Sequence, residues 1–257
     1  MVTILAKIIA VANQKGGVGK TTTSVNLSAC LAAKKKKVLL VDCDPQGNAS
    51  SGFGVDKSTL QGKTIYQVLI DNVPVMDVIQ KTEFKVDILP ANIDLAGAEV
   101  ELVAAISRET RLKKALDAVR DDYDYIIIDC PPSLGLLTLN SLTAADSVLV
   151  PIQCEFYALE GVAQLMRTIE LVRSNLNAEL KLEGVVMTMY DSRTKLAEQV
   201  VAEVRNSFDT VVYKTMIPRN VRLSEAPSFG QPIIYYDKKS KGSEVYMKLA
   251  KEVIACG

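Results

Sequence analysis

Short apolar, β-branched runs alternate with longer segments of helical period along the chain. Such runs predict strands over residues 8–12, 38–41, 86–89, 125–128, 148–152, 184–189 and 211–217. The other periodic segments predict helices over residues 20–33, 96–120, 136–144, 159–176, 195–208 and about 243–255. Because the runs show no clean alternation with polar residues, each strand is expected to be buried on both faces. This order predicts an α/β fold with a doubly wound, mostly parallel sheet flanked by helices.

Composition limits the size and chemistry of that fold. The 257 residues are 48% hydrophobic and 23% charged, and no internal repeat or linker divides them, which predicts one soluble domain over residues 1–257. Lys plus Arg and Asp plus Glu balance at 30 each, so affinity for nucleic acid would require a local patch. The chain has no histidine, which excludes His-based metal sites and Ser-His-Asp or Cys-His catalysis.

The cysteines and the N-terminus bear on the compartment. The five cysteines are odd in number and form no C-x-x-C pair, which is typical of reduced thiols in a cytoplasmic protein. The apolar start MVTILAKIIAVAN lacks a charged leader, so we interpret it as a strand and not as a signal peptide. No apolar run approaches the roughly 18 residues that cross a bilayer, and no membrane contact is expected.

The segment NQKGGVGKTT, residues 13–22, resembles a phosphate-binding loop between a strand and a helix. Its glycines allow backbone N–H groups to turn toward phosphate oxygens, while Lys20 would reach the β- and γ-phosphates and Thr21 would bind Mg²⁺. The pattern G-x-x-x-x-G-K-[ST] requires glycine at position 14, where this chain has Gln14, and an extra Lys15 precedes the glycines. From the residues alone, Lys15 is either a solvated loop lysine or a second cation for the phosphates. The predicted nucleotide-binding residues of the loop are Lys15, Gly16, Gly17, Val18, Gly19, Lys20, Thr21 and Thr22.

Three acidic residues follow predicted strands. Asp42 and Asp44 follow the predicted strand within the segment KVLLVDCDPQGN, and Asp129 follows the predicted strand within YDYIIIDCPPS. Carboxylates at the carboxyl ends of parallel strands lie where open α/β sheets bind ligands, and a strand-end aspartate holds Mg²⁺ in nucleoside triphosphatases. Taken singly, Asp42 or Asp129 could equally cap the next helix. The three acids together with the loop favour a magnesium site.

Four segments carry a resemblance to a known family: KGGVGKTT, VLLVDCDPQGN, YIIIDCPPS and IPRNVRLSEAPSFGQPIIYYD. They resemble the ParA/Soj chromosome- and plasmid-partitioning ATPases, which are P-loop NTPases with a deviant Walker A motif, and the match runs from about residue 8 to 255. The resemblance implies hydrolysis of ATP to ADP and phosphate with Mg²⁺, and an ATP-sandwich homodimer. It also implies non-specific double-stranded DNA binding, a nucleoid-associated location in the cytoplasm, a ParB/Spo0J-type centromere-binding partner that stimulates hydrolysis, and a replication initiator as a further contact.

The resemblance also implies roles for individual residues. Lys15 would reach the partner's nucleotide, and Lys20 and Asp44 would complete the catalytic set, with Asp44 positioning the attacking water. Asp42 and Asp129 would join Thr21 around Mg²⁺. The remaining nucleotide contacts implied by the resemblance are Gln46 beside the metal and Pro218 and Asn220 along the adenine.

The C-terminal part of the chain is locally basic. Such a run is ordinarily a solvated face, and only the resemblance turns it into a DNA-binding surface. The basic residues in it are Lys214, Arg219, Arg222, Lys238, Lys239, Lys241, Lys248 and Lys251. The predicted DNA contacts are Arg193, Arg222, Lys238, Lys239 and Lys241.

Two alternatives share the loop. A MinD-like, membrane-cycling cell-division ATPase would need an amphipathic tail, but Val245, Leu249 and Val253 are more typical of an ordinary packed helix. An iron–sulfur relative would need cysteines placed to bridge a cluster, whereas Cys43 and Cys130 are expected to be buried at strand ends.

Overall fold

Seven strands form one sheet in the order β3-β4-β2-β5-β1-β6-β7, in a computed structural model that describes residues 5–155, 160–208 and 212–256. The strands are β1 (Lys7–Val11), β2 (Val38–Asp42), β3 (Gln80–Lys81), β4 (Asp87–Leu89), β5 (Tyr125–Asp129), β6 (Ser147–Gln153) and β7 (Lys181–Thr188). All neighbours pair in parallel except β3, which runs antiparallel to β4 at one edge. The predicted doubly wound, mostly parallel sheet is confirmed.

Helices cover both faces of the sheet. Those within the described residues are α1 (Lys20–Ala33), α2 (Asn48–Gly52), α3 (Ile65–Leu69), α4 (Leu95–Glu101), α5 (Arg111–Asp117), α6 (Leu136–Ala144), α7 (Glu160–Asn175), α8 (Lys195–Ser207), α9 (Val221–Glu225), α10 (Ile233–Tyr236) and α11 (Lys241–Cys256). The start of the predicted helix at residue 159 lies outside the described residues, and α7 begins at Glu160.

The continuous apolar runs are explained by two hydrophobic cores, one on each face. In β1, Ile8 and Ala10 belong to one core, whereas Ile9 and Val11 belong to the other. Successive side chains of a strand point to opposite faces, so a strand covered on both sides has no polar position to offer. Each fully buried Ile, Leu or Val contributes about 1.5–3 kcal/mol, which makes this double burial the main stabilising term of the fold.

The predicted helix over residues 96–120 is wrong, because the chain breaks in its middle. Helix α4 ends at Glu101, a 3₁₀ turn covers Leu102–Ala104, and α5 begins only at Arg111. The break is stabilised by Asn140 of α6, which donates to the carbonyl of Arg108 at 2.7 Å and accepts from the amide of Leu112 at 3.1 Å. A long-range side chain thus supplies the backbone partners that the helix would have supplied itself.

The predicted strand over residues 211–217 is also not formed over its described part, residues 212–217. An isolated bridge joins Val212 to Val185, and the amides of Tyr213 and Ile217 donate to the carbonyls of Val185 and Met187 in β7 at 2.9 and 2.8 Å. The carboxylate of Glu252 on α11 accepts from the amides of Lys214 and Thr215 at 2.8 and 3.0 Å. The Thr215 amide, midway between the two that donate to β7, is therefore withdrawn from this pairing and no continuous strand forms.

Helix α11 packs against the body of the protein. Val245, Leu249 and Val253 are buried in the same core as residues of α1, which confirms the prediction of an ordinary packed helix. Among the residues that the structure describes, no helix combines the length and the apolar character that crossing a bilayer requires.

Candidate active site

The glycine loop connects β1 to α1 and has the backbone shape of a phosphate cradle. Gly17 and Gly19 have φ values of 74° and 87°, in the left-handed region that glycine adopts without strain. Gly19 is the N-cap of α1, so the first-turn amides carry no side-chain cap and point into the loop. A 14-residue helix whose N-terminus begins at such a loop favours an anion through both its free amides and its dipole.

Two side chains fasten this loop to the neighbouring strands. Asn13 donates to the carbonyl of Pro151 in β6 at 2.7 Å and accepts from the amide of Lys15 at 3.1 Å. On the other side, the Thr188 hydroxyl at the end of β7 donates to the carbonyl of Val18 at 2.8 Å. The loop is therefore held from both sides and needs little reorganisation to receive phosphates.

Lys20 lies within the cradle and is only 7% exposed. Its ammonium donates to the carbonyl of Lys15 at 3.2 Å. Burial lowers the pKa of Lys20, while the charges of Asp129 and Asp44 act in the opposite direction. Both acids are thus close enough to act electrostatically on the loop lysine, as the predicted site requires.

Two aspartates lie side by side beneath the loop. Strands β2 and β5 pair in parallel with Asp42 directly opposite Asp129, and both side chains are fully buried. Burial raises the pKa of both carboxyls, and the charge of Asp42 raises that of Asp129 further. An arrangement that disfavours two negative charges is relieved by a cation.

The two aspartates have different partners. Asp42 accepts from the amide and hydroxyl of Ser50 at 2.8 and 2.7 Å and from the amide of Asp44 at 3.2 Å, so it ties α2 to β2. Asp129 accepts from the Ser24 hydroxyl at 2.8 Å through one oxygen, while its other oxygen, Oδ2, is buried without a hydrogen-bond partner. Asp129 therefore has an oxygen available for a metal, whereas Asp42 is already occupied.

Asp44 begins the turn between β2 and α2. Its carboxylate accepts from the amide of Gln46 at 2.9 Å, and its carbonyl accepts from the amide of Gly47 at 2.9 Å. Lys57 donates to the carbonyl of Gln46 at 2.8 Å and closes the turn from outside. The turn is thus held by hydrogen bonds to backbone groups of Asp44, Gln46 and Gly47. They use one carboxylate oxygen of Asp44, Oδ1, and not the other.

A cavity of about 560 Å³ continues from the loop toward α9. Gly19, Thr22 and Thr188 line its loop end, and Pro218 and Asn220 line its far end. The Oδ1 atom of Asn220 is buried and has no hydrogen-bond partner. The structure therefore brings two residues of the predicted phosphate loop and both predicted adenine contacts to one cavity, of a size typical for small ligands.

Lys15 lies at the outer edge of the loop. Its ammonium is 3.6 Å from the Glu155 carboxylate, whose other oxygen is 3.1 Å from Arg219. The site residues predicted from the sequence do not include Glu155, Thr188 and Ser24, which contact Lys15, Val18 and Asp129. Glu155 follows the carboxyl end of β6, the same kind of position that pointed to Asp44 and Asp129, so the rule applied there could have found it.

A second cavity of about 900 Å³ lies on the other side of Pro218 and Arg219. Its cationic lining residues are Arg193, Lys214, Arg219, Lys241, Lys248 and Lys251, which we call the basic groove. Two of the predicted DNA contacts, Arg193 and Lys241, are in this groove. Both form ion pairs there, Arg193 with Asp191 at 2.7 Å and Lys241 with Glu244 at 2.9 Å. Arg222 does not line the groove and pairs with Glu225 and Asp237 at 2.9 and 3.6 Å, and Lys238 and Lys239 lie in the turn between α10 and α11.

The comparisons with known proteins agree with this geometry. A family model described as "AAA domain" matches residues 6–182. The Sporulation initiation inhibitor protein Soj of Bacillus subtilis is 62% identical over 254 residues, covering 98% of this chain and 100% of that protein. The Chromosome partitioning protein ParA of Myxococcus xanthus is 56% identical, covering 97% of this chain and 88% of that protein. The chain belongs to the Soj/ParA family of chromosome-partitioning proteins. The family predicted from four short segments is thereby confirmed.

A solved structure shows what a relative of this Soj/ParA-family chain can hold. Cobyrinic acid a,c-diamide synthase from Mycobacterium smegmatis, with bound ADP and magnesium, is 42% identical and has a TM-score of 0.86, with 97% of this chain and 94% of that chain covered. That protein is named for an activity other than partitioning, so the shared fold alone does not decide the function.

The turn after Asp44 generates a prediction on stability. Gly47 has a φ of 61°, and a Cβ added there would lie 2.6 Å from the carbonyl oxygen of Ala91. We expect Gly47→Ala to lower the free energy of unfolding by about 1–2 kcal/mol for backbone strain and by about 1–3 kcal/mol more for the overlap. Chemical denaturation would measure the total loss in the free energy of unfolding.

Gly62→Ala is the matched control, because Gly62 has a φ of 76° but its added Cβ would approach no atom closer than 4.0 Å. We expect it to show the strain alone. Equal losses in the two variants would mean that the approach of Ala91 to this turn is not tight.

Proposed function

We propose that the protein is a Mg²⁺-dependent ATPase whose ATP-bound homodimer binds double-stranded DNA without sequence preference and thereby drives chromosome or plasmid segregation. The observation that carries the proposal is a pair of buried oxygens without partners, Asp129 Oδ2 and Asn220 Oδ1, at two ends of one site around the glycine loop. Buried polar atoms are rarely left unpaired, and a nucleotide with its metal would satisfy both.

The residues fit a nucleotide. The loop amides and Lys20 would hold the phosphates with Thr22, and Pro218 would pack on the adenine ring. The orphaned carbonyl of Asn220 can accept a hydrogen bond from the exocyclic amine of adenine, an interaction that a guanine carbonyl at the same place could not provide.

The residues also fit Mg²⁺. Thr21 and Asp129 offer a hydroxyl and a free carboxylate oxygen, the hard ligands that this ion prefers, and Asp42 would act from the surrounding shell. Within the described ranges, no cluster of three or more Cys, Asp or Glu side chains forms a metal site by itself. This agrees with an ion that depends on phosphate oxygens and water for most of its ligands.

Hydrolysis would transfer the γ-phosphoryl group of ATP to water, with ADP as the leaving group. Asp44 would orient the water, while Lys20 and the partner's copy of Lys15 would neutralise charge on the γ-phosphoryl oxygens. The position of Lys15 at the outer edge of the loop supports such a reach, since its side chain is 36% exposed. Hydrolysis then depends on dimerisation.

The basic groove supports the DNA-binding step. A chain with no net charge needs a local cluster to hold phosphates, and this groove gathers six cationic side chains. A ParB/Spo0J-type partner that stimulates hydrolysis, a contact with a replication initiator and association with the nucleoid complete the proposal, and family membership supports them.

A first experiment separates binding from hydrolysis. In Asp44→Ala, we expect the ATP-dependent dimer and its DNA binding to persist while phosphate release falls at least about 100-fold, since positioning a proton acceptor contributes about 10²–10⁴-fold. Phosphate release and duplex retention should be measured with ATP and with ADP. Duplex binding by the wild-type protein with ADP alone would contradict the proposal, as would liposome pelleting in place of DNA binding.

A second experiment tests the role of Lys15. We expect Lys15→Ala to bind ATP measurably but to lose the ATP-dependent dimer, because the partner's triphosphate loses a cation that only the dimer provides. Light scattering with ATP would measure the mass. Lys63→Ala removes an exposed lysine from a loop before α3 and should dimerise as the wild type does. An unchanged dimer in Lys15→Ala would refute the role.

A third experiment assigns the DNA surface. We expect Arg193→Ala and Lys241→Ala each to weaken duplex binding uniformly across sequences and to reduce the slope of log affinity against log salt by about 2, because each substitution is present twice in the dimer. Fluorescence anisotropy at several salt concentrations would give the slopes. Lys114→Ala on α5 is the control with equal charge loss and should keep the wild-type slope. Larger effects from Lys238→Ala and Lys239→Ala would move the surface to the turn before α11.

A further inference from the structure

Glu155 holds two cations that belong to different parts of the site. One carboxylate oxygen is 3.6 Å from the ammonium of Lys15, and the other is 3.1 Å from the guanidinium of Arg219. Gln153 also donates to this carboxylate, which fixes its orientation at the end of β6. A single side chain therefore connects the leading lysine of the phosphate loop to the segment that separates the two cavities.

The position of Arg219 makes this connection specific. Arg219 lines both the cavity that continues from the glycine loop and the basic groove, and its neighbours Pro218 and Asn220 are the predicted base contacts. The backbone of Lys15 is held within the glycine loop, since its amide donates to Asn13 and its carbonyl accepts from the ammonium of Lys20. Glu155 thus lies between the phosphate end and the DNA end of the site.

Stability does not explain this arrangement. The side chains of Glu155 and Lys15 are 43% and 36% exposed, and ion pairs of this exposure contribute about 0–1 kcal/mol to folding. The pair nevertheless bears on where the Lys15 ammonium lies, because the lysine cannot contact Glu155 and extend to another subunit at once. The pair acts as a choice between two positions.

We propose that Glu155 is a positioning residue that retains Lys15 within its own chain, so that dimerisation requires the triphosphate of the partner to compete with this carboxylate. The inference rests on the proposed function, because it assumes that Lys15 reaches across the dimer.

The test is Glu155→Gln, which keeps the size of the side chain and removes its charge. Each exposed pair corresponds to a factor of about 2–5, and two pairs open in every dimer. We therefore expect the dimer dissociation constant, measured by analytical ultracentrifugation with a saturating non-hydrolysable ATP analogue, to fall by about 4- to 25-fold. Affinity of the monomer for the analogue should stay within about twofold, and the difference should shrink in high salt, where exposed pairs are screened.

Glu244→Gln is the matched control. It makes the same change in net charge and frees Lys241 and Lys248, which pair with Glu244 at 2.9 and 2.6 Å in the basic groove. It leaves Lys15 untouched, so we expect it to dimerise as the wild type does without DNA. If the dimer dissociation constant falls equally in both variants, the change in net charge explains the effect, and the proposed role of Glu155 is overturned.

The remaining outcomes separate the two proposals. If the wild-type protein forms no dimer with the analogue, the proposed function fails and this inference fails with it. If the wild type dimerises while Glu155→Gln dimerises equally or more weakly, the proposed function stands and Glu155 does not restrain Lys15. A thermal midpoint of Glu155→Gln near that of the wild type would show that its tighter dimerisation does not come from a change in folding stability.

Discussion

Two buried carboxylates, opposite one another at the ends of β2 and β5, are the constraint on which the site depends. The parallel register of the two strands places Asp42 beside Asp129, and complete burial makes a double negative charge unfavourable there. Ser50 and Ser24 donate hydrogen bonds that offset part of this cost, and Lys20 lies close enough to act electrostatically on Asp129. A cation at the free oxygen of Asp129 would offset more of it, so the carboxylate pair favours a positive charge at that oxygen.

The other parts of the site are held relative to this pair by the ends of the remaining central strands. Strand β1 lies between β5 and β6, and the glycine loop leaves it with Asn13 bound to β6 and Val18 bound to Thr188 of β7. Ligands in open α/β sheets bind where helices leave neighbouring strands on opposite faces, and here the glycine loop and the strand-end aspartates come from that edge. Rigid strands therefore fix the distances, and short turns supply the chemistry.

The local parts of this arrangement could be predicted from the sequence, and the long-range parts could not. The strands, α1, the glycine loop and the strand-end aspartates depend on neighbouring residues, so periodicity and motif spacing predict them. The broken helix after Glu101 depends on Asn140, and the missing strand at residues 212–217 depends on Glu252, which are contacts made only after folding. The partner of Lys15 is 140 positions away for the same reason. Among the site residues, the Ser50 contacts of Asp42 show that a strand-end aspartate can cap a helix and still belong to a phosphate site.

Nucleotide chemistry on this fold does not by itself specify partitioning, because the M. smegmatis relative that binds ADP and magnesium is named a synthase. The surface beyond the phosphate loop therefore matters for the function. The basic groove shares Arg219 with the cavity beside the glycine loop, so the proposed DNA surface and the proposed adenine contacts would lie on either side of one segment. A single groove on a chain of zero net charge would hold DNA weakly, because each phosphate contact adds little and is screened by salt. In the proposed dimer, two grooves would bind DNA with nearly additive free energies, so their affinities would multiply, less the cost of aligning them. Pairing of the subunits would therefore change DNA affinity strongly without altering any contact inside the groove.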